Sequence, residues 1–246
     1  MQPFAYSYME NPHMYQWNMN IQREVFPGTA ATVGYVGSRG LNLMHQTCIN
    51  SAKADVVNGR YTFASDASRP NTSEQFGDLC LLSQEAATNS FHHGLNLSLE
   101  RRFADGLQFQ VAYSWSKTVS ESDQVNGLYA NQGNGVSYFH DPDLSRSLAA
   151  FHVGRTFTFS GVWQLPFGND LGGAAEKLLG GWQMSGIVRM ADGPPLSIQM
   201  STPGNLRNLG YNGRSMPPDL VPGKSTSPVL GGSDKYFETS GFTAPP

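Results

Sequence analysis

Charge is scarce in this sequence: Lys, Arg, Asp and Glu fill 14% of its 246 positions, against roughly 25% in an average soluble domain. Their net balance of −3 leaves no basic stripe, so no nucleic-acid partner is expected. Long apolar runs are missing as well. Nothing approaches the roughly 18 consecutive apolar residues of a transmembrane helix. The segment Met1 to Tyr6 has neither a basic cluster nor an apolar core, so it does not read as a signal peptide. Cysteine is nearly absent, with Cys48 and Cys80 alone. Catalytic spacings are missing too. Neither H-E-x-x-H, G-x-S-x-G nor a Walker phosphate loop occurs, so neither an enzymatic activity nor a cofactor is expected.

Aromatics make up 11%, and 27 Gly and 15 Pro punctuate the chain. The mean hydropathy is only −0.35. Such a mixture suits strands with one neutral polar face and one apolar face, in a membrane barrel or in a soluble β-sandwich. Period two decides where the strands lie. Between Tyr15 and Val25, the odd positions Tyr15, Trp17, Met19, Ile21 and Val25 oppose Gln16, Asn18, Asn20, Gln22 and Glu24. Leu95, Leu97 and Leu99 oppose Asn96, Ser98 and Glu100. Phe109, Val111, Tyr113 and Trp115 oppose Gln108, Gln110, Ser114 and Ser116, and Phe157, Phe159 and Trp163 oppose Thr156, Thr158 and Gln164. Two weaker strands carry Ala31, Val33 and Tyr35, and Met184, Val188 and Met190. The predicted strands are about 15–26, 29–41, 90–102, 107–117, 152–165 and 182–191.

Their connections alternate. Pro27-Gly28 and Asp105-Gly106 make tight turns, and a Gly-rich segment from Pro166 makes a longer one. Between these hairpins lie long polar stretches, about 42–89, 118–151 and 192–246. Short turns at one end and long loops at the other mark an outer-membrane barrel, periplasmic side short and outer side long. In a compact soluble domain such loops would count against the assignment. The fold expected is therefore all-β, an antiparallel up-and-down transmembrane segment of about six strands, facing outer-membrane lipid. Six strands fall below the eight of the smallest single-chain barrels. The barrel is thus expected to be incomplete, and the chain to have lost its front end with the signal peptide.

This topology assigns faces. Gln16, Asn18, Asn20, Gln22, Asn96, Ser98, Glu100, Gln108, Gln110, Ser114, Thr156, Thr158 and Arg189 are expected to line the lumen, chiefly as a wettable wall. Trp17, Tyr35, Tyr113 and Trp115 toward the long loops, with Trp163 and Trp182 toward the short turns, are expected as aromatic girdles. Arg23 and Arg101 near short turns, and Arg155 near the long loops, can snorkel to headgroups. His92 and His93, as strand neighbours, face opposite ways and cannot share a metal. His140, Asp141 and Asp143 lie close in one loop and suit either a cation or plain solvation. Cys48 and Cys80 fall in the first long loop, outside the cell, where oxidising conditions permit a disulfide. Closing that loop would stabilise it by roughly 3–4 kcal/mol.

The wording of the strands adds a resemblance. Gln16-Trp17-Asn18, Gln22-Arg23-Glu24 and Gly34 to Gly40 (GYVGSRG) resemble a segment of large TonB-dependent receptors of the Oar-like kind. Leu99 to Phe103 (LERRF), Ala112 to Lys117 (AYSWSK), Gln164 to Gly168 (QLPFG) and Leu179 to Gln183 (LGGWQ) are similar in the same order, over nearly the whole chain. In that group such a segment lies in the C-terminal barrel, behind a carboxypeptidase-regulatory-like domain and a plug. The resemblance implies a barrel of roughly twenty-two strands, a plug inside it, and uptake of a solute energised through TonB. The plug, the TonB-box segment and most strands are missing here, and Tyr236 to Pro246 resembles the start of a late loop. The solute is not named by any residue. Two other functions remain open: surface display, secretion or adhesion of the Oar type, and a soluble all-β carbohydrate-binding module.

Overall fold

The protein is described by a computed structural model, which defines residues 4–6, 10–57, 60–62, 81–122, 141–167, 173, 178, 180–198, 200–201, 215–216, 218–225 and 228–243. Its frame is a single twisted sheet of six long strands: β1 (His13–Phe26), β2 (Thr29–Cys48), β3 (Leu82–Ala104), β4 (Leu107–Ser120), β5 (Arg155–Gln164) and β6 (Gln183–Ala191). They pair in chain order from β1 to β6, and every neighbour is antiparallel. This is an up-and-down meander. The sheet is not closed, and among the described residues the outer edges of β1 and β6 carry no further strand.

Turn chemistry fixes the short ends. Asp105 and Gly106 both have positive φ, 52° and 75°, the two left-handed residues of a type I′ turn whose twist matches the strands. Pro27 pre-sets its own φ, and Gly28 follows at 71°, a type II arrangement whose twist matches a hairpin less well. The mismatch is taken up by a bulge between Glu24 and Phe26, and the Glu24 carboxylate accepts from the Gly28 N–H at 2.7 Å. The third hairpin closes through Leu165 N–H donating to the Trp182 carbonyl at 2.9 Å.

At the other end the structure departs from the expected bounds. β2 runs on to Cys48 instead of ending near 41, and β3 begins at Leu82 instead of near 90. Two register shifts, around Gly40, Leu43 and Met44, separate this extension from the wall, and Asn42 takes φ 53°. The stretches expected as long loops also hold short pairings: Asp55–Val57 with Arg60–Thr62, Ser147–Leu148 with β4, Met200–Ser201 with Ser215–Met216, and Asp219–Leu220 with Phe242–Thr243. Phe4–Tyr6 adds a parallel strand beside Leu82–Gln84.

Burial is placed unusually. The largest fully buried side chains are His45, Thr47, Thr88, Ser51 and Ser83, all in or beside the extension and all polar. The wall has no protein interior. β1 and β6 are exposed along their whole length, and Met19, Ile21 and Met190 stand more than 60% exposed. A one-layer sheet with a bare apolar face needs a nonaqueous surrounding to hide it. No helix among the described residues is long and apolar enough to cross a membrane, a fact without bearing on strands.

Candidate functional site

Register turns the six strands into continuous rows across the sheet. On one face, Arg23, Ala31, Leu99, Val111, Phe159 and Val188 form a row, apolar but for its β1 member. The next row toward the long-loop end is Ile21, Val33, Leu97, Tyr113, Phe157 and Met190, and the next is Met19, Tyr35, Leu95, Trp115 and Arg155. On the other face, Asn20, Gly34, Asn96, Ser114 and Thr156 form one row. Gln22, Thr32, Ser98, Ala112, Thr158 and Arg189 form another, and Glu24, Ala30, Glu100, Gln110 and Ser160 a third. Gln16 and Asn18 continue this face toward the long loops, and Gln108 continues it toward the short turns. Every residue expected at the lumen thus stands on a single face, opposite the apolar one. Ile187 breaks the pattern: it belongs by register with Ser160 and is 79% exposed on the polar side.

Polar contacts knit the wet face without using it up. Ser114 Oγ donates to Asn96 Oδ1 at 2.8 Å. A concavity of about 570 Å³ toward the short-turn end is lined in part by Glu100, Gln108, Gln110, Ser160, Ser185 and Ile187. Phe109 and Val162 line it too, so neutral donors and acceptors with one carboxylate share it with apolar side chains.

The apolar face carries aromatics at both margins. Near the short turns, Trp163 meets Phe167 edge-on, with centroids 6.4 Å apart. Trp182 donates its Nε1–H to the Leu178 carbonyl at 2.9 Å. Toward the long loops, Tyr35 Oη bonds His93 Nδ1 at 2.7 Å and the Trp17 ring tilts against His93. Trp17 lies over its cross-strand partner Gly37, where its indole fills the place a Cβ would take. From Leu107 to Trp115, partners of Trp163 and Arg155, the strand rises roughly 27 Å, or about 20 Å along the membrane normal at the usual tilt. That is close to the height of a barrel's apolar band. Tyr113 stands one row inside the outer margin.

Two charges on the apolar face are answered at its margins. Arg155 forms a two-pronged ion pair with Asp192, Nε to Oδ2 at 2.9 Å and a terminal nitrogen to Oδ1 at 3.1 Å. Asp192 went unnoticed in the sequence, although continuing the β5–β6 register sets it directly opposite Arg155. Arg101 reaches Asp105 in the short turn at 3.3 Å. His92 and His93 do face apart, His92 meeting Thr118 Oγ1 at 2.8 Å on the polar side.

Beyond the wall, burial lowers the pKa of His45 and raises that of Glu121. Among the described residues no three His, Cys, Asp or Glu side chains gather to hold a metal. Asp141 instead caps the short turn Pro142–Ser145, accepting from Asp143 N–H at 3.1 Å, while His140 lies outside the described residues. So does Cys80, whose expected partner Cys48 ends β2 opposite Leu82.

A sheet with one continuous apolar face, one continuous polar face and aromatic margins has the form of a barrel wall. The Outer membrane beta barrel domain family matches residues 3–246. The chain belongs to that family. Neither a curated protein nor a solved structure gives a match. For an outer-membrane barrel domain the apolar face is the lipid face and the polar face lines the lumen. The soluble carbohydrate-binding alternative is thereby set aside.

Proposed function

We propose that this outer-membrane barrel domain is wall from a TonB-dependent receptor of the Oar-like kind. Its lumen face packs against a plug, further strands complete the barrel, and the whole protein takes up a bulky or scarce solute with energy from TonB. The observation that carries this is a lumen face made mainly of Asn, Gln, Ser and Thr, with charge confined to a few positions such as Glu100 and Arg189. A neutral polar wall accepts a folded plug by hydrogen bonding without leaving charges desolvated. The ordered motifs from Gln16 to Gln183 favour the same family. No catalytic step is proposed for this chain, and no cofactor.

A second reading, surface display or adhesion, is favoured by the β2–β3 extension, which carries paired strands and a buried polar core past the wall. One experiment separates the two. In the whole protein, with both native cysteines replaced by serine, Ser114→Cys places a thiol on the lumen wall. A plug predicts that a bulky impermeant maleimide is blocked while a small one reacts. Energising TonB should then raise the bulky reagent's labelling, and collapsing the proton-motive force should reverse it. Labelling by the bulky reagent that ignores the proton-motive force would contradict energised uptake and favour the second reading.

A further inference from the structure

Beyond its outer aromatic margin the lipid face ends in two cations, Lys117 and Arg39, that form no ion pair among the described residues. Lys117 pairs with His93 in the row just outside Tyr35 and Trp115, and Arg39 pairs with Phe91 in the row after that. The Arg39 guanidinium carbon lies 5.1 Å from the Phe91 ring centroid. Arg146, directly after the Pro142–Ser145 turn, brings its own to 5.3 Å from the same ring. Arg39, Lys117 and Arg146 are all exposed, and among the described residues none forms an ion pair. Arg101, Arg155 and Lys235 each do.

The acids of this region are mostly committed. Asp192 is taken by Arg155. Glu121 is buried, accepts from the Asn89 backbone at 2.7 Å and its side chain at 3.1 Å, and offsets only part of the charge of Arg146 from there. Asp143 remains exposed on the turn that carries Arg146. Both guanidiniums approach the one Phe91 ring, and an anion bound by both would offset their like charge. Guanidinium forks match phosphate oxygens in planar, two-pronged geometry. Depth then selects the anion's source. Tyr35 and Trp115 set the membrane interface; Lys117 stands one row beyond it, in the row of Trp17, and Arg39 two rows beyond, at headgroup height on the side facing lipid.

We propose that Arg39, Arg146 and Lys117 hold the phosphate of an anionic lipid in the outer leaflet. Its acyl chains lie along the apolar rows below, beside Leu95 and Leu97. The inference rests on the membrane orientation of the wall and is independent of transport.

The test uses the protein extracted from outer membranes, placed in nanodiscs of phosphatidylcholine alone or with added lipid A or phosphatidylglycerol, and weighed with its retained lipids by native mass spectrometry. The expected result is retention of the anionic lipids over phosphatidylcholine. Arg39→Gln with Arg146→Gln should weaken it by about tenfold per guanidinium, the factor one charge-assisted hydrogen bond supplies. Lysine at both positions, with charge but no planar fork, should restore only part of it. Lys235→Gln, at a cation already paired with Glu238 outside the wall, should change nothing. Heat-modifiable gel migration confirms folding; if the double variant fails there, Arg146→Gln alone, in a turn outside the wall, reads the same direction. Equal retention of phosphatidylcholine, no loss in the glutamine variants, or displacement of the lipid by free inorganic phosphate would each overturn the proposal.

Discussion

Gly37 shows how much one missing side chain can hold. Its partner Trp17 folds across the strand and occupies the space above it, so the indole covers backbone that lipid would otherwise touch. Gly161 repeats the device, with Phe159 Cζ 3.0 Å from where its Cβ would stand. Gly37→Ala should therefore destabilise the folded protein by about 1–3 kcal/mol, as overpacking does. Unfolding in detergent measures this, and in a Trp17→Ala background the same change should cost almost nothing. Glu121 gives a pH-dependent counterpart outside the membrane. Burial raises its pKa most, Asp143 adds to the rise, and hydrogen bonds from Asn89 oppose it. The folded chain thus holds the proton more tightly than the unfolded one. That stabilising contribution is complete below the ordinary value of 4.5 and is lost as pH climbs through the raised one. Glu121→Gln should accordingly make the outer β3–β4 ends more resistant to protease at pH 7, with the advantage gone in acid.

Strands were legible wherever lipid and water impose opposite demands on alternate residues. All six appear in the expected order and with the expected parity. The ends of β2 and β3 were not legible, and the reason is physical. Past Gly40 the chain leaves the bilayer, so Leu41 to Cys48 no longer alternates apolar with polar. The register shifts near Leu43 then break any residual period. His45, Thr47, Ser83 and Thr88 are buried there, a polar core that hydrophobic periodicity cannot announce. The two faces were legible but their contacts were not: parity sorted polar from apolar sets, whereas the Arg155–Asp192 pair and the two arginines on Phe91 needed register and three dimensions. Parity also carries the sharpest prediction at this scale. Val111 stands midway along the apolar band and Ala112 faces the lumen. Val111→Arg should cost about 2–4 kcal/mol, the price of a cation on the lipid face at the midplane, and Ala112→Arg far less. Paired denaturant titrations in lipid vesicles compare the two.

For the whole molecule, the six-stranded sheet carries two exposed edges and a bare apolar face, both hazards in water. In a bilayer the face is satisfied, and in the proposed complete barrel further strands would pair with the edges. The outer hairpin has a second expected clamp, a Cys48–Cys80 disulfide. Thiol titration of the denatured, unreduced protein should find no free thiols, and reduction should release two. Equal counts would refute the bridge. The central claim remains the two-faced wall, and nitroxide labels placed singly from Leu107 to Trp115 along β4 address it most directly. In lipid vesicles, relaxation by oxygen should peak at 107, 109, 111, 113 and 115, and relaxation by a water-soluble nickel chelate should peak at the even positions between them. Loss of that alternation, or odd positions sealed from oxygen and nickel alike as in a soluble protein's core, would contradict a strand set between lipid and lumen.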